Sequence, residues 1–436
     1  MAFGPNKVVA AGLSVVPPFG SSLFPQSWPQ VATPSVQGPP SAQLQSLTHL
    51  PNYTITIQGK KMNLFSKYDW TTMLNKWPEQ NYNIEEYHKI LSPEYPSFLD
   101  KYIKLPMLQR LKGVGLLCGT DWTKLYKNRI YYSRLDHSIG VALIIWHFTH
   151  NKAQTIAGLL HDVSTPVFSH VSDFRKGDAL TQTATEAPNE SIIKKSAELN
   201  NLLREDNITI DQIDDYHKYP IADNEIPQLS ADRLEYMFPS GMALDGSWTM
   251  EEIKKCHNDV TILKNEQGQN ELGFKTKEIA ELYCLKFCMI GHILQLNENK
   301  LTLHLLGQIM NQSEKAGLLS ETDFMTLSEK EVIEKLNTQL LQNKNLPDNL
   351  IKLSRLYNTF KNMTKIEHTS QPLPENEYFS VSLKVKLRYI NPLVLINNQN
   401  NKNSSIRLNK VSEKSDKLIN DFLTYEDSPY GCVKII

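Results

Sequence analysis

The chain has 436 residues, of which 46 are basic and 47 acidic, so its formal net charge is −1. With 40% hydrophobic and 21% charged residues it can bury a sizeable core and is expected to be globular. Because the basic and acidic residues balance, the overall charge does not indicate nucleic acid as a partner. Five cysteines without a regular framework favour a reducing compartment. The sequence contains no run of about 18 apolar residues, so no membrane-spanning helix is predicted. We therefore expect a cytoplasmic protein.

The first part of the chain divides into three predicted regions. Residues 1–50 are rich in Pro, Ser, Gln and Gly and contain no acidic residue, which is typical of a flexible leader. Residues 51–67 alternate around Gly59 as a β-hairpin would. Residues 68–265 carry apolar side chains mainly at helical spacing, for example in "HSIGVALIIWHFTH". We therefore predict a helical core there.

The remainder, residues 266–436, is predicted to begin as a second helical block, which includes "LIKLSRLYNTF". The apolar period then changes to two in "YFSVSLKVKLRYI", which is rich in Val, Tyr and Phe and therefore favours a strand. The expected fold class is mainly α, with a helical core, a second helical block and a small C-terminal β element.

A histidine and an aspartate stand side by side in "IAGLLHDVSTPVFSH", where Pro166 prevents the apolar helix from continuing. Neighbouring residues inside a helix do not share a face, but at a helix end both side chains can lean towards one ion. His161 and Asp162 are thus candidate ligands of a cation, completed by His137 and Asp232 from other helices. Imidazole and carboxylate suit Mn, Fe, Co, Ni or Zn. The alternative is a hydrogen-bonded core histidine beside a capping aspartate.

Several motifs in a fixed order resemble the HD-domain phosphohydrolase superfamily, closest to its deoxynucleoside triphosphate triphosphohydrolase branch. These are "LPMLQRLKGVGLLCG", "YYSRLDHSIGV" and "AGLLHDVSTPVFSH". Proteins of that branch show a similar QRL helix, an Arg-x-x-His-Ser-x-Gly segment, and His-Asp followed by Pro-x-x-Ser-His. The likeness covers about residues 92–236 and extends to "VSLKVKLRYINPLV", which is similar to a strand pair near their C-terminus. It implies an HD-domain helical core.

The resemblance also implies roles for individual residues and for the whole chain. It implies a divalent metal, either a transition metal or Mg, held by His137, His161, Asp162 and Asp232. It implies phosphate contacts from Arg134, Arg233 and Tyr236, and an acid near the catalytic histidine at Asp173. The expected partner is a small phosphorylated substrate, with a nucleotide favoured. Because members of the family often assemble, the resemblance also implies a homo-oligomer.

The chain departs from the family pattern at three positions. Thr165 stands where the triphosphohydrolases have a catalytic histidine, because the chain reads His-Asp-Val-Ser-Thr in place of His-Asp-x-Gly-His. Asn189 replaces the histidine of a His-Glu pair, and Leu116 replaces a glutamine that recognises the nucleotide. Threonine cannot act as a general acid or base near neutral pH, so these departures bear directly on activity.

Three explanations for the departures stay open. Another side chain takes over the proton transfer, with His170, Glu190 and Asp173 as candidates, or a metal-bound hydroxide suffices. In the third, the site binds without turnover. The leading hypothesis is a metal-dependent phosphohydrolase of the triphosphohydrolase type. The alternatives are a non-catalytic HD scaffold that binds metal or nucleotide for regulation, and an HD phosphodiesterase.

Overall fold

The structure is a computed structural model that describes residues 83–182, 189–397 and 403–436, together with the backbone of two short strands before them. Those strands, β1 (Thr54–Ile57) and β2 (Lys60–Asn63), pair antiparallel. All described residues belong to one compact unit, Gln43–Ile436. The predicted leader, residues 1–50, lies outside the described residues.

The described part of the chain is mainly helical, which confirms the expected fold class. In chain order the α-helices are α1 Ile84–Leu91, α2 Leu99–Ile103, α3 Pro106–Gln109, α4 Arg134–Thr149, α5 Lys152–Leu160, α6 Val171–Arg175, α7 Asn189–Lys195, α8 Ala197–Glu205, α9 Ala231–Leu244, α10 Met250–Asp259, α11 Lys277–Gln295, α12 Asn297–Lys315, α13 Glu321–Thr326, α14 Glu329–Leu336, α15 Asp348–Asn362, α16 Leu408–Val411 and α17 Glu413–Leu423.

Two small sheets complete the architecture. The first has the order β3 (Val260–Lys264), β4 (Asn270–Phe274), β7 (Leu393–Asn397) and β8 (Asn403–Arg407), with a parallel pair between β4 and β7. The second sheet places β9 between two other strands, and its members are β5 (Glu367–Thr369), β6 (Tyr378–Val381) and β9 (Tyr430–Lys434). Strands β5 to β9 form the small β element expected near the C-terminus.

The predicted strand "YFSVSLKVKLRYI" is only partly a strand. Strand β6 ends at Val381, and residues 382–392 run without strand pairing. Their backbone groups find partners elsewhere: Lys386 N–H donates to Ala179 O at 3.2 Å and Asn391 N–H to Pro227 O at 2.9 Å. A period of two shows that alternate side chains face opposite ways, but it does not require a neighbouring strand.

The central helix pair is α4 and α5, which pack against each other and lie deep in the protein. Helix α4 begins with a capping box, in which the Ser133 side chain accepts from Asp136 N–H and the Asp136 carboxylate accepts from Ser133 N–H. It ends at His150, which takes a left-handed conformation. The capping box fixes the first turn of α4, where Arg134 and His137 lie.

The apolar core extends across the predicted boundary between residues 265 and 266. One cluster of buried side chains runs from Tyr87 in α1 to Phe422 in α17 and includes Phe238 and Phe287. A second cluster gathers α12, α14 and α15. The boundary itself falls in the turn between β3 and β4, and the proposed division into regions stays a prediction.

No single helix within the described ranges is long and apolar enough to cross a membrane. Helices α11 and α12 would pass such a test only as a pair, by length and composition, with a bend of 51° between them. The apolar side chains of both helices belong to the two core clusters.

Candidate metal centre and its cavity

The His-Asp pair lies where α5 stops. Helix α5 begins at the N-cap Asn151 and ends at Leu160, so His161 is the C-terminal cap and Asp162 follows it. The His161 Nδ1–H donates to the carbonyl oxygen of Gly158 at 2.6 Å, which leaves Nε2 as the nitrogen with a free lone pair. The end of the helix therefore presents one imidazole nitrogen and one carboxylate, as the sequence predicts.

The remaining candidate ligands come from the first turns of two other helices. His137 is in the first turn of α4, and Asp232 is in the first turn of α9, whose N-cap Ser230 accepts from Arg233 N–H at 3.2 Å. Both helices start at a side-chain cap, so each ligand is attached to a well-defined helix end.

Three of the four predicted ligand side chains, those of His137, His161 and Asp162, form one close group, and Asp232 approaches its two histidines. The Nε2 atom of His137 is 3.1 Å from Asp232 Oδ1 and 3.2 Å from His161 Nε2. The Nε2 atom of His161 is 3.5 Å from Asp162 Oδ2 and 3.7 Å from Asp232 Oδ1. Metal–ligand bonds of about 2.0–2.2 Å place neighbouring ligand atoms about 3.0–3.4 Å apart, so the group of His137, His161 and Asp162 could hold one divalent cation after small shifts.

A buried carboxylate supports the metal centre from behind. Glu235 Oε2 accepts from His137 Nδ1 at 2.5 Å, and Glu235 Oε1 accepts from the hydroxyls of Tyr87 at 3.0 Å and Tyr132 at 2.5 Å. A carboxylate behind a ligating histidine fixes the ring orientation and raises its basicity. Gly140 makes this approach possible, because a Cβ there would lie 2.5 Å from Glu235 Oε1.

The charges around the centre favour ionised carboxylates. Burial raises the pKa of Asp162, but the charges of Arg134, His161 and His137 more than offset this and hold the pKa well below its usual value. Burial likewise lowers the pKa of His137, but Glu235 and Asp232 raise it to about 10. A cation that binds at His137 Nε2 would therefore displace a proton.

The metal centre opens into a cavity of about 190 Å³. Its lining follows α9 from Asp232 through Tyr236 and Ser240 to Leu244, a length of roughly 18 Å at 1.5 Å per residue. Beyond the metal centre much of the wall is apolar and comes from Leu116, Leu117, Ile290, Ile293, Leu294 and Leu303. The cavity therefore combines a charged end with an apolar wall.

His170 is the candidate acid–base group that reaches this cavity. Its Nδ1–H donates to Asp173 Oδ2 at 2.9 Å, and its Nε2 lies 3.5 Å from a guanidinium nitrogen of Arg388. Burial lowers the pKa of His170, Asp173 raises it, and Arg388 and Arg134 lower it further, with a net lowering. His170 is therefore neutral near pH 7 with Nε2 as acceptor. Asp173 is fully buried behind it and does not line the cavity.

The three predicted phosphate contacts, Arg134, Arg233 and Tyr236, all line the cavity. The arginines already have protein partners: Arg134 donates to Asp162 Oδ2 at 2.8 Å, and Arg233 lies 3.2 Å from Asp223 Oδ1. Burial is the largest cause that raises the pKa of Tyr236 to about 12, so its hydroxyl keeps its proton. Each of these side chains can reach a ligand, but both arginine charges are partly used within the protein.

The structure places Glu190 outside the cavity and Thr165 in its lining. Glu190 does not reach the cavity, because it lies on the exposed helix α7 and forms an ion pair with Lys194 four residues later. We therefore discard it as a candidate acid or base. Thr165 lines the cavity, and its hydroxyl donates to Asp162 Oδ1 at 2.8 Å. It orients a candidate ligand and does not replace the family histidine.

The sequence prediction missed Glu235, Lys386 and Arg388. Glu235 lies three residues after Asp232 on one helix, so the i, i+3 spacing in "DRLEYMF" could have suggested it. Lys386 and Arg388 line the cavity from the unpaired segment that follows β6. They belong to the stretch predicted as a strand, and no local signal marks them as cavity residues.

Comparison with curated proteins gives two partial matches, and no family model matches the chain. The uncharacterized protein YdhJ of Bacillus subtilis is 31% identical over 147 residues, which are 32% of this chain and 41% of the relative. A metal-dependent phosphohydrolase, cns2, of Cordyceps militaris is 26% identical over 151 residues, 34% of this chain and 41% of the relative. The match thus spans about two fifths of each relative's length.

Two solved structures share the fold over most of both chains. A phosphohydrolase from Bacteroides thetaiotaomicron has a TM-score of 0.50 and 14% identity, with 77% of this chain and 95% of that chain covered. A hypothetical protein from Aquifex aeolicus has a TM-score of 0.51 and 14% identity, with 78% and 92% covered. At this identity the likeness shows a common mainly helical fold.

Proposed function

We propose that this protein is a metal-dependent phosphohydrolase of the HD type that acts on a phosphorylated small molecule, with nucleotides as the candidate substrate class. The observation that carries the proposal is the close group of His137, His161 and Asp162, with Asp232 next to its histidines, at the charged end of a cavity. A relative named a metal-dependent phosphohydrolase and a similar fold in a structure named a phosphohydrolase support it.

A divalent cation held by these four side chains would polarise a phosphoryl oxygen and lower the pKa of a bound water. The rest of the chemistry falls to side chains of the cavity. Arg134, next to the cluster, places a positive charge where the phosphoryl group gains negative charge. His170 is neutral and presents Nε2 as an acceptor, so it suits the role of a general base that takes a proton from water.

Asp173 is a positioning residue for His170. Its Oδ2 accepts the Nδ1 proton of His170 and so holds the tautomer in which Nε2 is an acceptor, with a guanidinium nitrogen of Arg388 at 3.5 Å. This arrangement gives the site an acid–base group even though Thr165 replaces the family histidine. Glu190 is not needed for this role.

The test is a purified protein loaded separately with Mn, Fe, Co, Ni, Zn or Mg and offered a panel of nucleotides, phosphate monoesters and phosphodiesters, including cyclic nucleotides. Phosphate or pyrophosphate release that requires metal is expected. The variant His170→Asn should keep its metal and lose activity by about a hundredfold or more. The proposal fails if the metal-loaded protein leaves the whole panel intact.

A non-catalytic HD scaffold is the second candidate, and the corrected position of Glu190 together with Thr165 favours it. In that case the protein would bind metal and a phosphorylated ligand with a measurable affinity but release no product. Equilibrium dialysis with the same panel separates this outcome from an inactive preparation, because binding without turnover supports the scaffold alone.

A further inference from the structure

Two cations of the cavity have no acidic partner among the residues that the structure describes. Lys386 and Arg388 both line the cavity, and no ion pair joins either of them to an acid within the described residues. The other two cations of the lining differ, because Arg134 pairs with Asp162 and Arg233 with Asp223. The charge that remains unmatched in the cavity is thus positive and concentrated on one segment.

The guanidinium of Arg388 is oriented by neutral partners. One of its nitrogens donates to Gln182 Oε1 at 2.5 Å and lies 3.5 Å from His170 Nε2. Both partners also line the cavity. A partly buried guanidinium held by an amide and a neutral imidazole keeps its full charge and several N–H donors for a ligand.

The backbone of the segment contacts two other parts of the chain. Lys386 N–H donates to Ala179 O at 3.2 Å, and the carbonyl oxygen of Arg388 packs so closely on α11 that a Cβ on Gly291 would lie 2.5 Å from it. Lys386 and Arg388 both line the cavity from this segment. The intervening residue, Leu387, is exposed.

We propose that Lys386 and Arg388 form an anion subsite that binds a second phosphate group of the substrate, separate from the phosphate at the metal centre. The inference rests on the proposed function, because it assigns a further part of the same cavity. It specifies the substrate class: a compound with two phosphate groups, such as a di- or triphosphate or a bisphosphate, is preferred over a simple monoester.

Inorganic phosphate is the probe for the subsite, and its binding to the metal-free protein is measured by calorimetric titration. Lys386→Ala and Arg388→Gln should each weaken phosphate binding by about tenfold or more, because each removes a charge-assisted contact. Arg388→Lys, which keeps the charge, should retain most of the affinity. Lys384→Ala is the matched control, since Lys384 lies on the same segment but is exposed and outside the lining.

A second titration tests the two-phosphate preference with metal-loaded protein. Pyrophosphate should bind at least about tenfold more tightly than phosphate, and Arg388→Gln but not Lys384→Ala should remove this advantage. Elemental analysis afterwards checks that the metal stays bound, and thermal melts check that each variant is folded. Unchanged phosphate binding in both Lys386→Ala and Arg388→Gln, or an equal loss in Lys384→Ala, overturns the subsite.

Neither titration requires turnover, and the first requires no metal. A protein that hydrolyses nothing in the panel but loses phosphate binding in Arg388→Gln would contradict the proposed activity and support the subsite. Metal-dependent hydrolysis with phosphate binding unchanged in every variant would support the proposed activity and contradict the subsite.

Discussion

At the scale of single residues, the candidate metal centre draws its four proposed ligand atoms from three helix ends. Each ligand atom has its nearest neighbour in the group 3.1–3.5 Å away, so loss of one side chain removes a direct contact of the cation. The supporting groups, Glu235 behind His137 and the Gly158 carbonyl behind His161, determine which nitrogen faces the cation.

Replacement of His161 or Asp162 by alanine is expected to remove the metal, because each variant loses a direct ligand. Elemental analysis of the purified variants after dialysis measures the occupancy. His150→Ala is the control, since His150 caps the far end of α4 and its side chain is 60% exposed. Full occupancy in both ligand variants would refute the assignment of the cluster.

Replacement of Glu235 by glutamine is expected to lower metal affinity without removing a ligand. The amide keeps the shape of the side chain but no longer stabilises charge on the His137 ring, and such outer contacts are worth about ten- to a hundredfold in affinity. Competition with a chelator of known affinity measures the change. An affinity equal to that of the unaltered protein would show that Glu235 serves packing alone.

At the scale of elements, one carboxylate from the second helical block holds the loop beside the cavity. Glu329, the first residue of α14, accepts from Gly115 N–H at 2.9 Å and from Trp122 Nε1–H at 2.7 Å. The residues between these two contacts include Leu116, Leu117 and Thr120, which line the cavity. A distant helix thus fixes one wall of the site.

The ionisation of Glu329 should make stability depend on pH. Burial raises the pKa of Glu329 from 4.5 to about 7, although the bonds from Trp122 and Gly115 lower it in part. Between these values the unfolded chain has released the proton and the folded protein still holds it, so the free energy of unfolding falls as pH rises. A shift of this size corresponds to about 3 kcal/mol.

The variant Glu329→Gln cannot ionise, but it keeps only one acceptor oxygen, because Gly115 N–H and Trp122 Nε1–H donate to different oxygens of the carboxyl group. The midpoint of the variant relative to that of the unaltered protein should therefore be higher near pH 8, where the buried carboxylate of the unaltered protein is charged, than near pH 5. Thermal melts of both proteins at the two pH values measure the difference. A difference in thermal midpoint between the two proteins that is the same at pH 5 and pH 8 would contradict the raised pKa of Glu329.

At the scale of the whole molecule, the two predicted helical regions share one core. Strand β4, which follows the boundary between residues 265 and 266, pairs with β3 before it and with β7 near the C-terminus. The largest apolar cluster joins side chains of α4 and α9 to those of α11 and α17. Neither region buries its apolar surface alone.

A chain that ends at residue 265 is therefore expected not to fold cooperatively, since it exposes the face of α9 that packs on α11. Thermal melts followed by circular dichroism measure whether this piece unfolds cooperatively. The control is the full chain with a protease site in the exposed β3–β4 turn at Gly268, which should remain folded after cleavage because the core contacts persist. A cooperative melt of the 1–265 piece would contradict the shared core.

The sequence by itself determined the helical fold class and singled out the four candidate ligands. These features depend on local patterns: apolar side chains at helical spacing, the Ser133 and Ser230 caps, and Pro166 after a His-Asp pair. Such signals act within a few residues of the chain, so they can be recognised without knowledge of the partner elements.

Only the tertiary structure decided which other side chains reach the cavity. Arg388 meets His170 across 218 residues of chain, and Glu329 meets Gly115 across 214. Glu190, which the motif alignment brought to the site, instead faces outwards from α7. A side chain's distance from the site depends on how helices and unpaired segments pack, and this is set by apolar contacts between parts of the chain that no local pattern connects.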